Sequence, residues 1–209
     1  MFNNSAQVER NLPWLLFAVV VIVPLLAWGG RLDWQFGDLS VLSIFPVLGI
    51  LAWSIMWTHY VTLAVRIVWP EIKRNRLYSK ISGHIVLGLL LLHPGLLAFN
   101  RLQETDLSLQ EGLYSYVDDS LRLFIFFGTI SLLTFISYEY FGRARKTPWV
   151  QRNWRWISLS QVIAMALIFI HALAIGGITN EPWYELYWVV LGALLIPCFG
   201  LTLRHDWRN

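Results

Sequence analysis

Two histidines, His93 and His171, are the residues of this chain best placed to do chemistry. Each lies deep in a long apolar run. An ionisable side chain there is costly and marks a functional site with a partner of its own. His93 stands 12 residues, or about 18 Å at helical rise, beyond Ile81, where its run begins. His171 stands 14 residues, or about 21 Å, beyond Ile157. Both runs point the same way, so in a hydrocarbon layer about 30 Å thick the two imidazoles share nearly one depth, in the outer half. Two neutral imidazoles at one level on neighbouring helices are the protein ligands that a six-coordinate haem iron takes. A lone histidine in such a run more often hydrogen-bonds a neighbouring helix. The match in depth is what favours ligation.

The elements that must position this pair follow from composition. The chain has 209 residues, of which 56% are hydrophobic and 14% charged, against about 25% charged in a soluble domain. Its apolar residues gather into six runs, roughly 13–29, 41–65, 81–99, 121–141, 157–177 and 184–203. Each is about as long as a membrane span requires. The expectation is an all-α integral membrane protein of six transmembrane helices, a single haem domain over residues 1–209. The connections are too short for a soluble flavin or nucleotide domain. The first run reads as a span rather than a signal peptide. Glu9 and Arg10 precede it without a positive bias, and Trp28-Gly29-Gly30-Arg31 is a poor cleavage site. The single cysteine, Cys198, lies inside the sixth run, so there is no internal disulfide and no cysteine metal cluster.

The net charge of +3 conceals an asymmetry. With the N-terminus inside, the inner segments hold thirteen Lys and Arg against four Asp and Glu, and the outer segments hold three against nine. Basic residues stay on the cytoplasmic side, so both termini are expected in the cytoplasm. The basic loops are thus topology signals rather than a nucleic-acid patch. Trp28, Trp34, Trp53, Trp57, Trp69, Trp149, Trp154, Trp156, Trp183, Trp188 and Trp207 read mostly as the aromatic belt at span ends. The outer connection 100–119 is acidic and reads as a lid. No internal repeat is visible.

Around His93 the third span reads Ser82-Gly83 through His93-Pro94-Gly95. Its small residues admit a bulky planar group or another helix. Pro94 cannot donate to the carbonyl of Leu90, which loosens the helix there. The fifth span carries Ala164, Ala166, Ala172, Ala174, Gly176 and Gly177 around His171. His84 falls on the opposite face from His93 and cannot share its ligand. His59 reads as interfacial, with an inner cofactor site as the alternative, and His205 as a solvated tail residue. Glu139 is expected to pair with Arg143 at i+4.

Ser82-Gly83 through His93-Pro94-Gly95-Leu96-Leu97, and Trp154-Arg155-Trp156 through Ile170-His171-Ala172-Leu173, resemble the ferric reductase-like transmembrane family. That family includes the membrane part of NADPH oxidases, six-span metalloreductases and the haem subunit of the bacterial periplasmic methionine-sulfoxide reductase system. The short chain without a flavin domain looks most like the last. The resemblance implies a multi-pass protein of the cell's inner (cytoplasmic) membrane, the electron-transfer subunit of an oxidoreductase. Its haem b iron would be held by His93 and His171. Two-haem relatives carry a second histidine in each of these helices, at the positions where this chain has Ser79 and Ser158. That departure implies one haem, in the outer half. The inner level would then hold FMN or FAD, or a quinone, contacted by Ser158, Gln161, His59, Arg152 and Arg155. Arg101 and Arg122 would pair with haem propionates, or else snorkel to the interface. The implied partners are membrane lipid, a flavoprotein or quinol donor inside, and an extracytoplasmic acceptor. The rival readings are a haem-free small transporter or accessory subunit, marked by breaks at Pro46, Pro94 and Pro197, and a quinone-linked cytochrome b subunit of a larger complex.

Overall fold

The computed structural model describes residues 4–37, 39–104, 108 and 118–208. Its helices are α1 (Asn4–Arg31), α2 (Val41–Val68), α3 (Arg76–Glu104), α4 (Arg122–Arg143), α5 (Pro148–Ile175) and α6 (Pro182–Arg208). Short 3-10 turns, Asp119–Leu121 and Gly177–Asn180, precede α4 and α6. All six helices are long and apolar enough to cross a membrane, and no strand occurs among the described residues. This is the architecture expected where backbone N–H and C=O groups find no water and must pair within their own segment.

The helices overrun the apolar runs. α3 begins at Arg76 rather than near Ile81, and α6 reaches Arg208. Charged ends continue the backbone ladder while their side chains reach the polar boundary. His205 therefore stands on the last turns of α6 rather than in a tail. Pro148 and Pro182 open α5 and α6 at the position that lacks a helical acceptor in any case. Ser40 caps α2, its Oγ accepting from the Ser43 N–H at 3.2 Å. α2, α3 and α6 run unbroken through Pro46, Pro94 and Pro197. Of the expected lid, α3 takes residues 100–104. Beyond it, residues 105–107 and 109–117 lie outside the described residues.

α2 is the centre of the bundle. It packs along α3 and also against α1 and α6, while α4 packs along α5 and α5 along α6. α3 and α4 scarcely touch. The start of α1 and the end of α6 lie on one face with the loops 69–75 and 144–147, the terminal face.

Three tryptophans expected in the interfacial belt are core residues instead: Trp53, Trp57 and Trp188 are buried. A buried indole N–H needs an acceptor. Trp53 Nε1 donates to the Met165 carbonyl at 3.2 Å and Trp57 Nε1 to the Leu191 carbonyl at 2.8 Å. These bonds tie α2 to α5 and α6. The Trp53 and Trp188 rings lie 4.1 Å apart, and Phe169 lies parallel to Trp188 at 5.8 Å.

Candidate functional site

The two histidines meet in one cavity, each held by the neighbouring helix of its own hairpin. His93 on α3 puts Nδ1 2.6 Å from the Phe45 carbonyl of α2. His171 on α5 puts Nδ1 2.6 Å from the Phe124 carbonyl of α4. A carbonyl only accepts, so Nδ1 carries the proton in both rings and Nε2 keeps its lone pair. One turn beyond each carbonyl stands a glycine. A β-carbon on Gly49 would lie 2.8 Å from Cε1 of His93, and one on Gly128 would lie 2.7 Å from Cε1 of His171. The missing side chain is what lets each ring rest on the neighbouring backbone.

The device is therefore duplicated. Hairpins α2–α3 and α4–α5 each supply a phenylalanine carbonyl, a glycine four residues on, and a histidine. The carbonyl-to-histidine separations are 48 and 47 residues. The sequence contains this signal as Phe45-Pro46-Val47-Leu48-Gly49 and Phe124-Ile125-Phe126-Phe127-Gly128. It escapes a search for repeats because so few positions are shared.

The histidine cavity measures about 180 Å³ and is lined chiefly by apolar groups, among them Trp53, Leu90, Ile168 and Trp188. Gly176 and Gly177 form part of its wall, where α5 ends. Gly176 has φ 79° and ψ −135°, a conformation open essentially to glycine alone, and a β-carbon there would collide with the Asn180 side chain. Gly176→Ala is expected to cost about 1–3 kcal/mol of stability, read as a lower midpoint of thermal unfolding in detergent. An unchanged midpoint would show that the turn relaxes freely.

Neither Arg101 nor Arg122 lines this cavity. Arg122 instead pairs with Asp119 at 2.6 Å. The cation closest to the glycine turn is one the sequence did not single out. Arg31, at the end of α1, has Nη1 3.7 Å from the β-carbon position of Gly177.

A second cavity of about 510 Å³ opens toward the terminal face. His59, Ser158 and Gln161 line it, whereas Arg152 and Arg155 do not. Arg66, Lys73, Arg74 and Arg145 take their place. The Ser158 hydroxyl donates to Asp206 Oδ2 at 2.6 Å, and the Gln161 Oε1 is buried without a hydrogen-bond partner among the described residues. Glu139 also lines this cavity and carries the expected pair with Arg143 at 3.1 Å. Leu90 belongs to both cavity walls, so the two lie in series along α3. His84 is exposed, its Nδ1 on the Lys80 carbonyl, and takes no part in either.

No family model, curated protein or solved structure matches this chain. Among the described residues, no group of three or more His, Cys, Asp or Glu side chains is placed to hold a metal ion.

Proposed function

We propose that this chain carries electrons across a cell membrane through one b-type haem held by His93 and His171, as the electron-transfer subunit of an oxidoreductase of the ferric reductase-like kind. The observation that carries the reading is the duplicated device. Two imidazoles in one cavity each commit Nδ1–H to a carbonyl and keep Nε2 for a ligand. Metal-bound histidines almost always donate their other ring nitrogen in this way. Two protein donors do not complete a coordination sphere, and a macrocycle would supply the rest. A porphyrin exceeds 180 Å³, and the room it would need lies between α3 and α4, which scarcely touch.

Haem supplies one-electron chemistry when bound. His93 and His171 would hold the iron, and the chain's own residues orient the two rings, hold their tautomer and surround them with apolar side chains. The terminal-face cavity suits an inner two-electron carrier, FMN, FAD or a quinol. Its mouth carries Arg66, Lys73, Arg74 and Arg145, and its depth holds the unpartnered Gln161 Oε1. Arginine and lysine at the mouth suit a cofactor phosphate. The positive-inside charge pattern makes the terminal face cytoplasmic. Electrons then pass outward to an acceptor that the acidic outer segments attract, a metal ion or a basic partner. The transporter reading expects broken helices, and the helices through Pro46, Pro94 and Pro197 are continuous.

Oxidised and dithionite-reduced spectra of the purified protein test this. Wild type is expected to give a low-spin b-type spectrum that His93→Ala and His171→Ala each remove. A colourless wild type that haem supplementation leaves unchanged would overturn the reading.

A further inference from the structure

We infer, resting on the reading of the histidine cavity as a haem site, that Arg31 at the end of α1 holds the haem carboxylates at the outer mouth of that cavity. A haem is apolar over most of its ring and carries its two carboxylates on one edge. Among the described residues, no Asp, Glu, Lys or Arg lines the histidine cavity. Carboxylates left there without a partner are costly. Toward the terminal face the wall is the apolar Leu90 of α3 and Leu132 of α4. At the other end it is Gly176 and Gly177, just past the end of α5 at Ile175, which is four residues or about 6 Å outward of His171. The charged edge of the ring is best met at this glycine turn.

The end of α1 is built to bring a cation there. Trp28 Nε1 donates to the Ser43 carbonyl at 2.8 Å, which ties α1 to the start of α2. After Arg31 the helix stops in a Schellman turn. The Trp34 N–H donates to the Gly29 carbonyl at 2.9 Å and the Asp33 N–H to the Gly30 carbonyl at 3.0 Å. Asp33 and Trp34 take φ 49° and 60° to close it, a left-handed conformation that is costly outside glycine. The Trp34 ring occupies the space that a side chain on Gly29 would need. Arg31 is carried in this turn, and it reaches the cavity wall from outside, with Nη1 3.7 Å from the β-carbon position of Gly177.

The outer segments hold only three Lys and Arg. Arg122 is taken up by Asp119, and Arg101 does not line the cavity. Arg31 has no ion pair or hydrogen bond among the described residues. Its forked guanidinium matches a carboxylate in shape and charge.

The test is equilibrium titration of the purified full chain, produced without haem, with haem and with haem dimethyl ester, whose carboxylates are blocked. Wild type is expected to bind haem about tenfold tighter than the ester. Arg31→Gln should weaken haem about tenfold and leave the ester within about twofold, so that the preference disappears. Arg31→Lys keeps the charge without the fork and should recover part of the loss. Arg122→Gln is the control and should change neither affinity. An unchanged midpoint of thermal unfolding without ligand reports that the variants are folded. Wild-type haem affinity in Arg31→Gln would mean that Arg31 only reaches for the polar boundary; it overturns the assignment and leaves the haem reading standing. Equal losses of haem and ester, or a loss that Arg31→Lys does not recover, overturn the assignment as well. Failure of wild type to bind either ligand overturns the haem reading with it.

Discussion

On the proposed haem reading, Gly49→Ala and Gly128→Ala are each expected to remove most of the haem from the purified protein, and to about the same extent. A methyl group at either position would stand under 3 Å from the imidazole it faces, closer than carbon atoms approach. The ring must tilt away, and the 2.6 Å bond from Nδ1 to the carbonyl goes with it. Overpacking of this kind costs about 1–3 kcal/mol, and stranding a buried carbonyl costs about as much again. Loss of the bond that orients a ligating histidine typically lowers metal affinity by about 10–100-fold. Both terms act on the same ring, so the upper end of that range is expected. The measurement is haem per polypeptide from the reduced spectrum after purification, followed by titration of added haem. Gly88→Ala is the control, because nothing lies within 4 Å of its β-carbon position. Full occupancy in both alanine variants would mean that the rings do not depend on their glycine seats. A loss in one alone would mean that the two hairpins do not hold their histidines equivalently.

That prediction depends on residues the sequence did not mark. The histidines stand out because an ionisable group in an apolar run is costly, and depth along the span is simple arithmetic. The carbonyls of Phe45 and Phe124 have no sequence signature at all, since every residue has one. Gly49 and Gly128 look like ordinary packing glycines until the facing ring is known. The spans were legible from length and apolarity, but their ends were not, because Arg76 and Arg208 extend the backbone ladder into the polar boundary. The inner cations were misplaced for a readable reason. Trp154, Ser158 and Gln161 form one stripe of α5 at helical spacing, and Arg152 and Arg155 fall off it. The replacements come from α2, from the loop after it and from the loop after α4, and only the tertiary fold brings them to the same mouth.

The two cavities also explain which contacts the bundle forgoes. One face of α3, through Ser79, Gly83, Val86, Leu90, His93 and Leu97, lines first one cavity and then the other. The face of α4 through Leu132 and Phe135 does the same across the gap. A pair of helices that both line the cavities cannot also pack on each other there. Their stability then has to come from their hairpin partners and, behind those, from α6.

Trp188→Ala is accordingly expected to have the largest effect on stability. Trp188 is fully buried, sits on α6, and touches Trp53 of α2 and Phe169 of α5 with its ring. It is the point at which α6, which belongs to neither hairpin, clamps one member of each. In soluble cores Trp→Ala costs about 3–5 kcal/mol. Part of that figure is transfer from water, which a denatured state in detergent does not fully experience, because its apolar side chains stay among apolar tails. What remains is lost packing around a void of indole size, so a value near 3 kcal/mol is expected. The loss would be read as a fall in the midpoint of thermal unfolding. The same side chain lines the histidine cavity, so on the proposed reading haem occupancy should fall with it. Trp188→Phe separates the two roles. It keeps a ring against Phe169 and Trp53 but gives up the long 3.5 Å contact from Nε1 to the Phe169 carbonyl, and should cost only about 1 kcal/mol beyond the lost area. A Trp188→Ala protein as stable as wild type would show that α6 contributes little to the clamp, and that α2 and α5 hold the two hairpins together without it.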